Sequence, residues 1–379
     1  MKKISILIPD GETHTLLYVV NCLSQIKSVK IFVMSNKKRY PMRFSRHIYN
    51  FSFYPKTEVE LDWINNINKE LQKHNIDLVM PIFENGIETI IRYKEHILYK
   101  EKLCILPNLD NFKTAKNKGL LSEFLNNHNL PHPKGILVQS AKTENVDILK
   151  FPVIVKPVEG YGGGLGVCLF DNKTDFEDYF EQGKFNYNHI VQEFIKGYDI
   201  GCSVLCKDGK ILAYTIQKST MKGKNPYAPL LGLVFVEDKD LYVIIEDLMK
   251  LLNWSGVAHV DLKFDEQDKI FKIIEVNTRF WSSLEASLIS GINFPHLYGL
   301  ASLGIDFQKP NYEFFNYLNL KGLVKTLTIN KKFILKIHFI WNNTPLKFAV
   351  LDPLPMIYKF FSRTKNIWSS NLRKFLIRT

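Results

Sequence analysis

The sequence has few cysteines, and none of the five is arranged to bind zinc. They include no Cys-x-x-Cys pair and no Cys/His cluster with the spacing of a zinc site. Cys202 and Cys206 lie in an apolar stretch that is typical of a strand. We therefore expect buried free thiols in the reducing cytoplasm rather than a disulfide framework. The cysteines are Cys22, Cys104, Cys168, Cys202 and Cys206.

Long apolar runs are also missing. The run from Ile4 to Ile8 stops at Pro9, which is short of the roughly 7–15 apolar residues of a signal peptide. The longest stretch without charge, residues 286–305, contains a proline and three glycines, so it predicts two helices joined by a turn rather than a membrane span. Hydrophobic residues still make up 46% of the 379 residues, which is enough to bury a sizeable core.

Two common nucleotide motifs are absent as well. The first predicted strand is not followed by G-x-G-x-x-G, and the glycine-rich segment is not followed by G-K-[ST]. Strand and helix patterns nevertheless alternate in the first hundred residues, which predicts a parallel, Rossmann-like sheet covered by helices. The predicted strands are 3–8, 29–34, 77–82 and 103–107, and the predicted helices are 13–27, 61–74, 85–97 and, beyond a boundary near residue 110, 115–128.

Glycines are concentrated in one short segment. Five of the seven residues from Gly160 to Gly166 are glycine, between a strand that ends at Lys156 and one that begins at Val167. A hairpin turn without a ligand needs only one or two glycines, whereas a loop whose N–H groups approach phosphate oxygens needs several positions without Cβ. We interpret the segment as a flap over a nucleotide, with Lys156 adding positive charge.

Polar and apolar side chains alternate along the segment that ends at Arg279. In a strand, Glu275, Asn277 and Arg279 would share one face, while the apolar residues between them face a core. A preceding strand at 257–264 would bring Asp261 close to Glu275 through a turn at 265–269. Carboxylate and amide oxygens suit Mg²⁺, and Arg279 would neutralise charge on a transferring phosphoryl group. The alternative is a solvated edge strand in which Arg279 pairs with Glu275.

Taken in chain order, these motifs resemble the ATP-grasp superfamily. The resemblance covers about residues 1–304 and is closest to the carboxylate–amine ligase and carbamoyl-phosphate-synthase-like branch. It implies an α/β and α+β protein with a Rossmann-like pre-ATP-grasp domain at 1–114. A two-lobed ATP-grasp domain with antiparallel sheets would occupy 115–304, with its lid at about 130–190, followed by a basic aromatic extension at 305–379. The motifs are Lys118, Lys156 with its glycine loop, Gln192-Glu193-Phe194-Ile195, Asp261 and Glu275-Val-Asn277-Thr-Arg279.

The resemblance also implies a role for each matching position. Lys118, Lys156 and the loop glycines would contact the phosphates of ATP, and Glu193 would accept the adenine amino group. Backbone groups of Phe194 and Ile195 would bind the adenine edge, and Asp199 would hold the ribose. Mg²⁺, or Mn²⁺ in its place, would bind Asp261, Glu275 and Asn277, while Arg279 and Lys156 would act in catalysis. The loop glycines are Gly160, Gly162, Gly163 and Gly164.

The chemistry implied is the activation of a small-molecule carboxylate as an acyl phosphate and its attack by an amine. Two alternatives stay open: bicarbonate activation as in carbamoyl-phosphate synthesis, and a non-catalytic ATP-binding adaptor. Segments 9–14 and 84–88 would line the substrate side of the cleft, since α/β sheets bind ligands beyond the carboxyl ends of their strands. Residues 219–229 would form either a substrate loop or a mobile surface loop.

The net charge of +12 is concentrated at the C-terminal end. Residues 305–379 carry thirteen Lys and Arg against three acidic residues, which leaves residues 1–304 close to neutral. This segment is rich in Phe, Trp and Ile, so it would either contact an anionic membrane or a protein partner, or pack on the catalytic domain. No basic helix with base-reading residues is present, so we expect no nucleic-acid partner.

Overall fold

The computed structural model describes residues 3–138, 148–160, 164–183, 188–224 and 230–362. Their strands form three sheets, of four, four and six strands. Within the described residues, no helix is both long and apolar enough to cross a membrane. All five cysteines are free thiols, and all except the half-buried Cys168 are buried.

The N-terminal sheet is parallel throughout, as the alternation of strands and helices predicts. Its strands are β1 (Ile4–Ile8), β2 (Val29–Ser35), β3 (Ile48–Phe53) and β4 (Leu78–Val79). The spatial order is β3-β2-β1-β4. The helices that follow β1, β3 and β4 are α1 (Leu16–Leu23), α2 (Glu60–Lys73) and α3 (Glu84–Tyr93).

Three predictions for this sheet were wrong in detail. The strand predicted at 77–82 is only two residues long, because Pro81 has no N–H to continue the ladder. The predicted strand at 103–107 is reduced to one bridge between Leu103 and Val79. Strand β3 was not predicted, since it lies at the sheet edge and mixes aromatic and polar residues without a buried face.

The helix predicted at 115–128 is in fact two helices that meet at Asn117. They are α4 (Leu109–Lys116) and α5 (Lys118–Asn127). Asn117 has an extended backbone, and its side-chain oxygen accepts hydrogen bonds from the N–H groups of Gly119 and Leu120. This is N-cap geometry, which ends one helix and starts the next. The break places Lys118 at the first position of α5.

The middle sheet is antiparallel and contains the glycine loop. Its strands are β5 (Gly135–Val138), β6 (Val153–Pro157), β7 (Cys168–Phe170) and β8 (His189–Glu193), with α6 (Lys173–Glu181) after β7. The spatial order is β5-β8-β6-β7. Strands β6 and β7 are antiparallel neighbours, as the predicted hairpin requires, and residues 161–163 of the loop between them lie outside the described residues.

The six-stranded sheet is also antiparallel and carries the polar strand predicted near 275. Its strands are β9 (Gly197–Lys207), β10 (Lys210–Met221), β11 (Gly232–Val236), β12 (Gly256–Asp265), β13 (Ile270–Asn277) and β14 (Asn316–Leu318). The spatial order is β13-β12-β9-β10-β11-β14. Helix α7 (Lys239–Leu251) packs against it through an apolar stripe at helical spacing, formed by Leu241, Ile245, Leu248 and Met249.

Short helices form the C-terminal part of the described chain. They are α8 (Leu284–Ile289), α9 (Phe294–Ser302), α10 (Leu320–Ile329), α11 (Ile337–Asn342) and α12 (Leu346–Leu351), and residues 354–362 are also helical. Strand β14 lies within residues 305–379, so this segment contributes one edge of the six-stranded sheet.

Candidate active site

The predicted metal-binding side chains lie together on the β12–β13 hairpin. Asp261 and Glu275 are directly opposite each other across the two strands. The Asn277 amide donates a hydrogen bond to Asp261 Oδ2 at 2.8 Å, and Arg279 Nη2 donates to Asn277 Oδ1 at 3.1 Å. The pairing shifts register directly after Asp261, a bulge of the kind that redirects side chains next to active sites. The predicted hairpin and its shared polar face are thus confirmed.

A buried histidine, His259, contacts the Asp261 carboxylate. His259 Nε2 lies 3.2 Å from Asp261 Oδ1, and its Nδ1 lies 2.9 Å from the hydroxyl of Ser203. Its ring stacks on Trp281 with 5.7 Å between centroids. Desolvation by the surrounding side chains would raise the pKa of the half-buried Asp261 carboxyl, but the charge and hydrogen bond of His259 outweigh it and lower that pKa. His259 therefore positions and helps to ionise Asp261.

Two lysines bring positive charge to the same face. Lys118 Nζ lies 3.0 Å from Glu275 Oε2. Lys156 is buried and donates to Gln192 Oε1 at 3.2 Å. Burial lowers the pKa of Lys156 to about 8; the Glu275 carboxylate acts in the opposite direction, and Lys118 adds to the decrease by repulsion. These two ammonium groups and the carboxylates form a compact charged cluster.

The glycine loop begins next to this cluster. The backbone N–H of Lys118 donates to Val158 O at 3.0 Å, and the Asn117 amide donates to Glu159 Oε1 at 2.9 Å, so α5 is tied to the start of the loop. Gly160 and Gly164 have φ angles of +82° and +75°, which favour glycine. Gly162 and Gly163 lie outside the described residues.

The segment predicted to bind adenine connects the middle sheet to the six-stranded sheet, between β8 and β9. Glu193 Oε1 accepts a hydrogen bond from the backbone N–H of Lys150 at 3.1 Å. The N–H of Phe194 donates to Pro152 O at 2.9 Å. Ile195 is buried. The adenine roles of these residues stay predictions.

Asp199 lies at the start of β9 and is paired with two lysines. Lys222 forms an ion pair with its carboxylate, and Lys263 Nζ approaches it to 3.1 Å. The predicted substrate loop 219–229 thus reaches the site through Lys222, although residues 225–229 lie outside the described residues. Its flanks are held by the C-terminal segment: Lys325 Nζ donates to Lys222 O at 3.0 Å, and Asn319 Nδ2 donates to Leu230 O at 2.8 Å. The ribose role of Asp199 stays a prediction.

Arg279, at the end of the hairpin, also contacts residues at the start of α3. Its Nε lies 3.5 Å from Glu84 Oε1, and its guanidinium carbon lies 5.2 Å from the ring centre of Phe83. His14 contacts the same ring edge-on at 5.6 Å. Burial, and then the nearby positive charge of Arg279, lowers the pKa of His14. The segments expected to face the substrate, 9–14 and 84–88, thus lie beside Arg279.

Sequence reasoning gave no role to Asp10, which organises this side of the cleft. Its carboxylate accepts hydrogen bonds from the N–H groups of Ile82 and Phe83 at 3.0 and 2.7 Å. A Cβ atom at Gly86 would lie 2.6 Å from Asp10 Oδ2, so the carboxylate packs against the first turn of α3. Burial, followed by the charge of Glu12, raises the pKa of Asp10 to about 8. An acidic residue directly after a buried strand was the available signal.

A family model described as an ATP-grasp domain matches residues 115–283. This range contains the glycine loop, the connection between β8 and β9, and the polar hairpin. Residues 115–283 form an ATP-grasp domain. Its family and the mixed α/β fold with antiparallel sheets that the sequence predicted are thereby confirmed.

Curated relatives of this chain include ligases and a carbamoyl-phosphate synthase. A D-aspartate ligase of Enterococcus faecium is 23% identical over 282 residues, which is 67% of this chain and 66% of the relative. A carbamoyl-phosphate synthase of Methanobrevibacter smithii is 26% identical over 222 residues, 54% of this chain and 58% of the relative. A D-alanine–D-alanine ligase of Buchnera aphidicola is 28% identical over 173 residues, which is 42% of this chain and 52% of the relative. The chain thus spans between half and two thirds of the length of these relatives.

Solved structures share the fold of this chain over most of its length. An N5-carboxyaminoimidazole synthetase of Staphylococcus aureus complexed with ADP has a TM-score of 0.69 at 17% identity, covering 89% of this chain and 87% of that chain. An L-amino acid ligase of Bacillus licheniformis has a TM-score of 0.60 at 19% identity, covering 80% of this chain and 74% of that chain. At such identities the likeness establishes the fold alone.

The lowered pKa of Lys156 predicts how ATP affinity depends on pH. Lys156 loses its charge as pH rises through about 8, whereas an ordinary lysine stays protonated to about 10. The affinity for ATP should therefore fall between about pH 7 and pH 9, measured by titration calorimetry. Lys156→Met should bind ATP more weakly, and its dissociation constant should be flat over the same range. A slope equal to that of the unaltered protein would contradict the assignment.

Proposed function

We propose that the protein is an ADP-forming carboxylate–amine ligase that makes an amide or peptide-like bond. The observation that carries this proposal is the position of Arg279. Its guanidinium donates to Asn277, beside the two carboxylates, and also lies against Glu84 and Phe83 at the start of α3. A cation between the charged cluster and a second group of polar side chains suits a reaction in which a phosphoryl group meets a carboxylate.

The nucleotide would lie between the middle sheet and the six-stranded sheet. Lys118 and Lys156 would bind its phosphates, with the backbone of Gly160, Gly162, Gly163 and Gly164 closing over them. The segment from Glu193 to Ile195 would contact adenine, and Asp199 would exchange a lysine partner for ribose hydroxyls. The contacts of the two lysines with Glu275 and Gln192 support this placement.

The donor set fits Mg²⁺, and Mn²⁺ accepts the same oxygen ligands. Among the described residues, no cluster of three or more His, Cys, Asp or Glu could hold a metal alone. Asp261 and Glu275 with the Asn277 amide suit an ion that takes its remaining ligands from water and phosphate, as Mg²⁺ does. Their side chains are 44% and 32% exposed, so they are open to such a ligand. When bound, the ion would offset the negative charge of the phosphates.

The proposed reaction has two steps. A carboxylate oxygen of the first substrate attacks the γ-phosphorus of ATP, the bond to the bridging oxygen breaks, and ADP leaves. The amine nitrogen then attacks the acyl carbon, the carbon–oxygen bond to phosphate breaks, and the nitrogen loses a proton. Arg279 and Lys156 stabilise the charge that develops on the transferring group, and the glycine loop excludes water from the acyl phosphate.

The domain arrangement follows from these roles. Residues 1–114 would be a Rossmann-like pre-ATP-grasp domain that contributes His14 and Glu84 to the substrate side. Residues 115–304 would hold the nucleotide, with a lid at about 130–190, and residues 305–379 would be an appended basic segment. The cytoplasm is the proposed location, because the five cysteines are free thiols.

Bicarbonate activation is the second candidate, because one relative is a carbamoyl-phosphate synthase. The two reactions separate by what triggers ADP release from ATP and Mg²⁺. A ligase requires a carboxylate and an amine together, whereas bicarbonate activation proceeds with bicarbonate alone. Pools of amino acids, other carboxylates and amines should yield a mass equal to two substrates minus water. ADP release with bicarbonate only would favour the second candidate, and ATP binding without turnover in any pool would favour a non-catalytic adaptor.

A further inference from the structure

The C-terminal helices expose many large apolar side chains. Fourteen of the thirty-one exposed large hydrophobic residues of the described chain fall between residues 320 and 361. Ile329, Leu335 and Ile337 are 75%, 76% and 72% exposed, which is unusual for aliphatic residues of a folded domain. The others are Leu320, Val324, Ile334, Trp341, Val350, Leu351, Leu354, Met356, Ile357, Phe360 and Phe361.

The same helices are strongly cationic. Seven lysines lie between residues 320 and 362, and Asp352 is the one acidic residue in that range. Asp352 is buried, where its Oδ2 accepts a hydrogen bond from Ser45 Oγ at 2.5 Å. The surface charge of these helices is therefore positive and without an acidic counterpart. The lysines are Lys321, Lys325, Lys331, Lys332, Lys336, Lys347 and Lys359.

A second basic segment from the N-terminal part lies against these helices. Asp352 Oδ1 accepts the backbone N–H of Arg46 at 3.3 Å, and Phe44 packs on Tyr358 with 4.6 Å between ring centroids. Residues 36–47 contain five cations and no acidic residue, and all five cations are exposed. We call the exposed residues of 320–362 together with those of 36–47 the basic apolar surface. The five cations are Lys37, Lys38, Arg39, Arg43 and Arg46.

We propose that the basic apolar surface binds the anionic face of a lipid membrane without crossing it. Lysine and arginine mixed with exposed Trp, Phe, Leu and Ile on short helices is the composition of interfacial membrane segments. The uniformly positive charge complements an anionic leaflet. Of the helices in this surface, α10, α11 and α12 have ten, six and six residues, so each of these three is too short to span a bilayer.

This surface is coupled to the candidate active site. Helix α10 contacts both flanks of the predicted substrate loop, through Lys325 to Lys222 and through Asn319 to Leu230. Lys222 in turn pairs with Asp199. A membrane contact at α10 would therefore lie next to the predicted substrate loop, but the lipid binding itself does not depend on the proposed ligase activity.

Co-sedimentation of the full chain with vesicles tests the proposal. The protein should sediment with vesicles of phosphatidylcholine containing about one third phosphatidylglycerol and remain in the supernatant with pure phosphatidylcholine. High salt should weaken the binding. Two variants should each reduce partitioning about tenfold or more, one through lost charge and one through lost apolar burial. They are Lys331→Gln/Lys332→Gln/Lys336→Gln and Ile334→Ser/Leu335→Ser/Ile337→Ser.

Matched variants on other exposed surfaces provide the control. Lys207→Gln/Lys210→Gln/Lys250→Gln and Leu98→Ser/Val243→Ser/Leu251→Ser should sediment like the unaltered protein, and all forms should keep the same thermal midpoint. The proposal is overturned if the full chain stays in the supernatant with anionic vesicles, or if the control variants lose binding equally. It is also overturned if the apolar variant instead dissolves a dimer seen by light scattering, since a second copy would then cover the surface.

Discussion

Replacing Glu275 by Gln should lower ATP-dependent turnover by about a hundredfold to a thousandfold. Glu275 is directly opposite Asp261 in the hairpin, and its Oε2 lies 3.0 Å from Lys118 Nζ. The substitution keeps the shape of the side chain but removes the negative charge that a divalent cation and Lys118 both require. ADP release measured with a coupled assay, at saturating ATP and both substrates, gives the effect on kcat.

The change at Glu275 has a control in the same hairpin. Glu266 is exposed in the turn between β12 and β13, so Glu266→Gln changes the same charge without reaching the site. Its turnover should stay within about twofold of the unaltered protein, since surface substitutions alter stability by only a few tenths of a kcal/mol. Unchanged turnover in Glu275→Gln, with both proteins folded, would remove the metal assignment.

The second large effect is expected at Arg279. Arg279→Lys keeps the charge but loses the fork that donates to Asn277 Oδ1 and to Phe280 O, and it withdraws the planar group from Phe83. We expect kcat to fall about a hundredfold, with a smaller change in the KM for ATP, because Arg279 acts on the transferring group rather than on the nucleotide. Steady-state kinetics with each substrate varied in turn separates the effect on kcat from the effect on KM.

Arg92→Lys is the matched control for Arg279→Lys. Arg92 is exposed near the end of α3, where it pairs with Glu60 and Glu88 at 2.9 and 2.7 Å, so it tests the same helix without the guanidinium that contacts Asn277. Arg92→Lys should leave kcat unchanged, because an exposed ion pair contributes little to the stability of the fold. An effect at Arg92 as large as that at Arg279 would mean that the loss reflects α3 as a whole rather than the guanidinium at the site.

The polar hairpin could be predicted from sequence because its signal is local. Alternation along residues 272–279 fixes which side chains share a face, and a five-residue turn fixes which strand pairs with it. The contacts of Arg279 with Phe83 and Glu84 could be expected only as a general location, since nearly two hundred residues separate them. The helix break at Asn117 was missed because a cap is decided by backbone geometry at one residue, whereas the apolar pattern continues through it.

Charge counting gave an incomplete picture for a similar reason. Residues 1–304 are close to neutral in sum, which concealed the five cations of residues 36–47. Contacts such as that of Asp352 with Ser45, which lie 307 positions apart in the sequence, bring those cations next to the C-terminal helices. The local density of charge on a folded surface, rather than the sum over a segment, determines what that surface attracts.

The most direct test of the proposed ligase is an oxygen-18 transfer experiment. The carboxylate substrate found in the pooled screen is labelled in both carboxyl oxygens and incubated with ATP, Mg²⁺, the amine and the protein. If the carboxylate attacks the γ-phosphorus, one labelled oxygen must leave with inorganic phosphate when the amine displaces it. We predict phosphate carrying a single oxygen-18 in step with product formation. Unlabelled phosphate alongside amide product would contradict an acyl phosphate and with it the central claim.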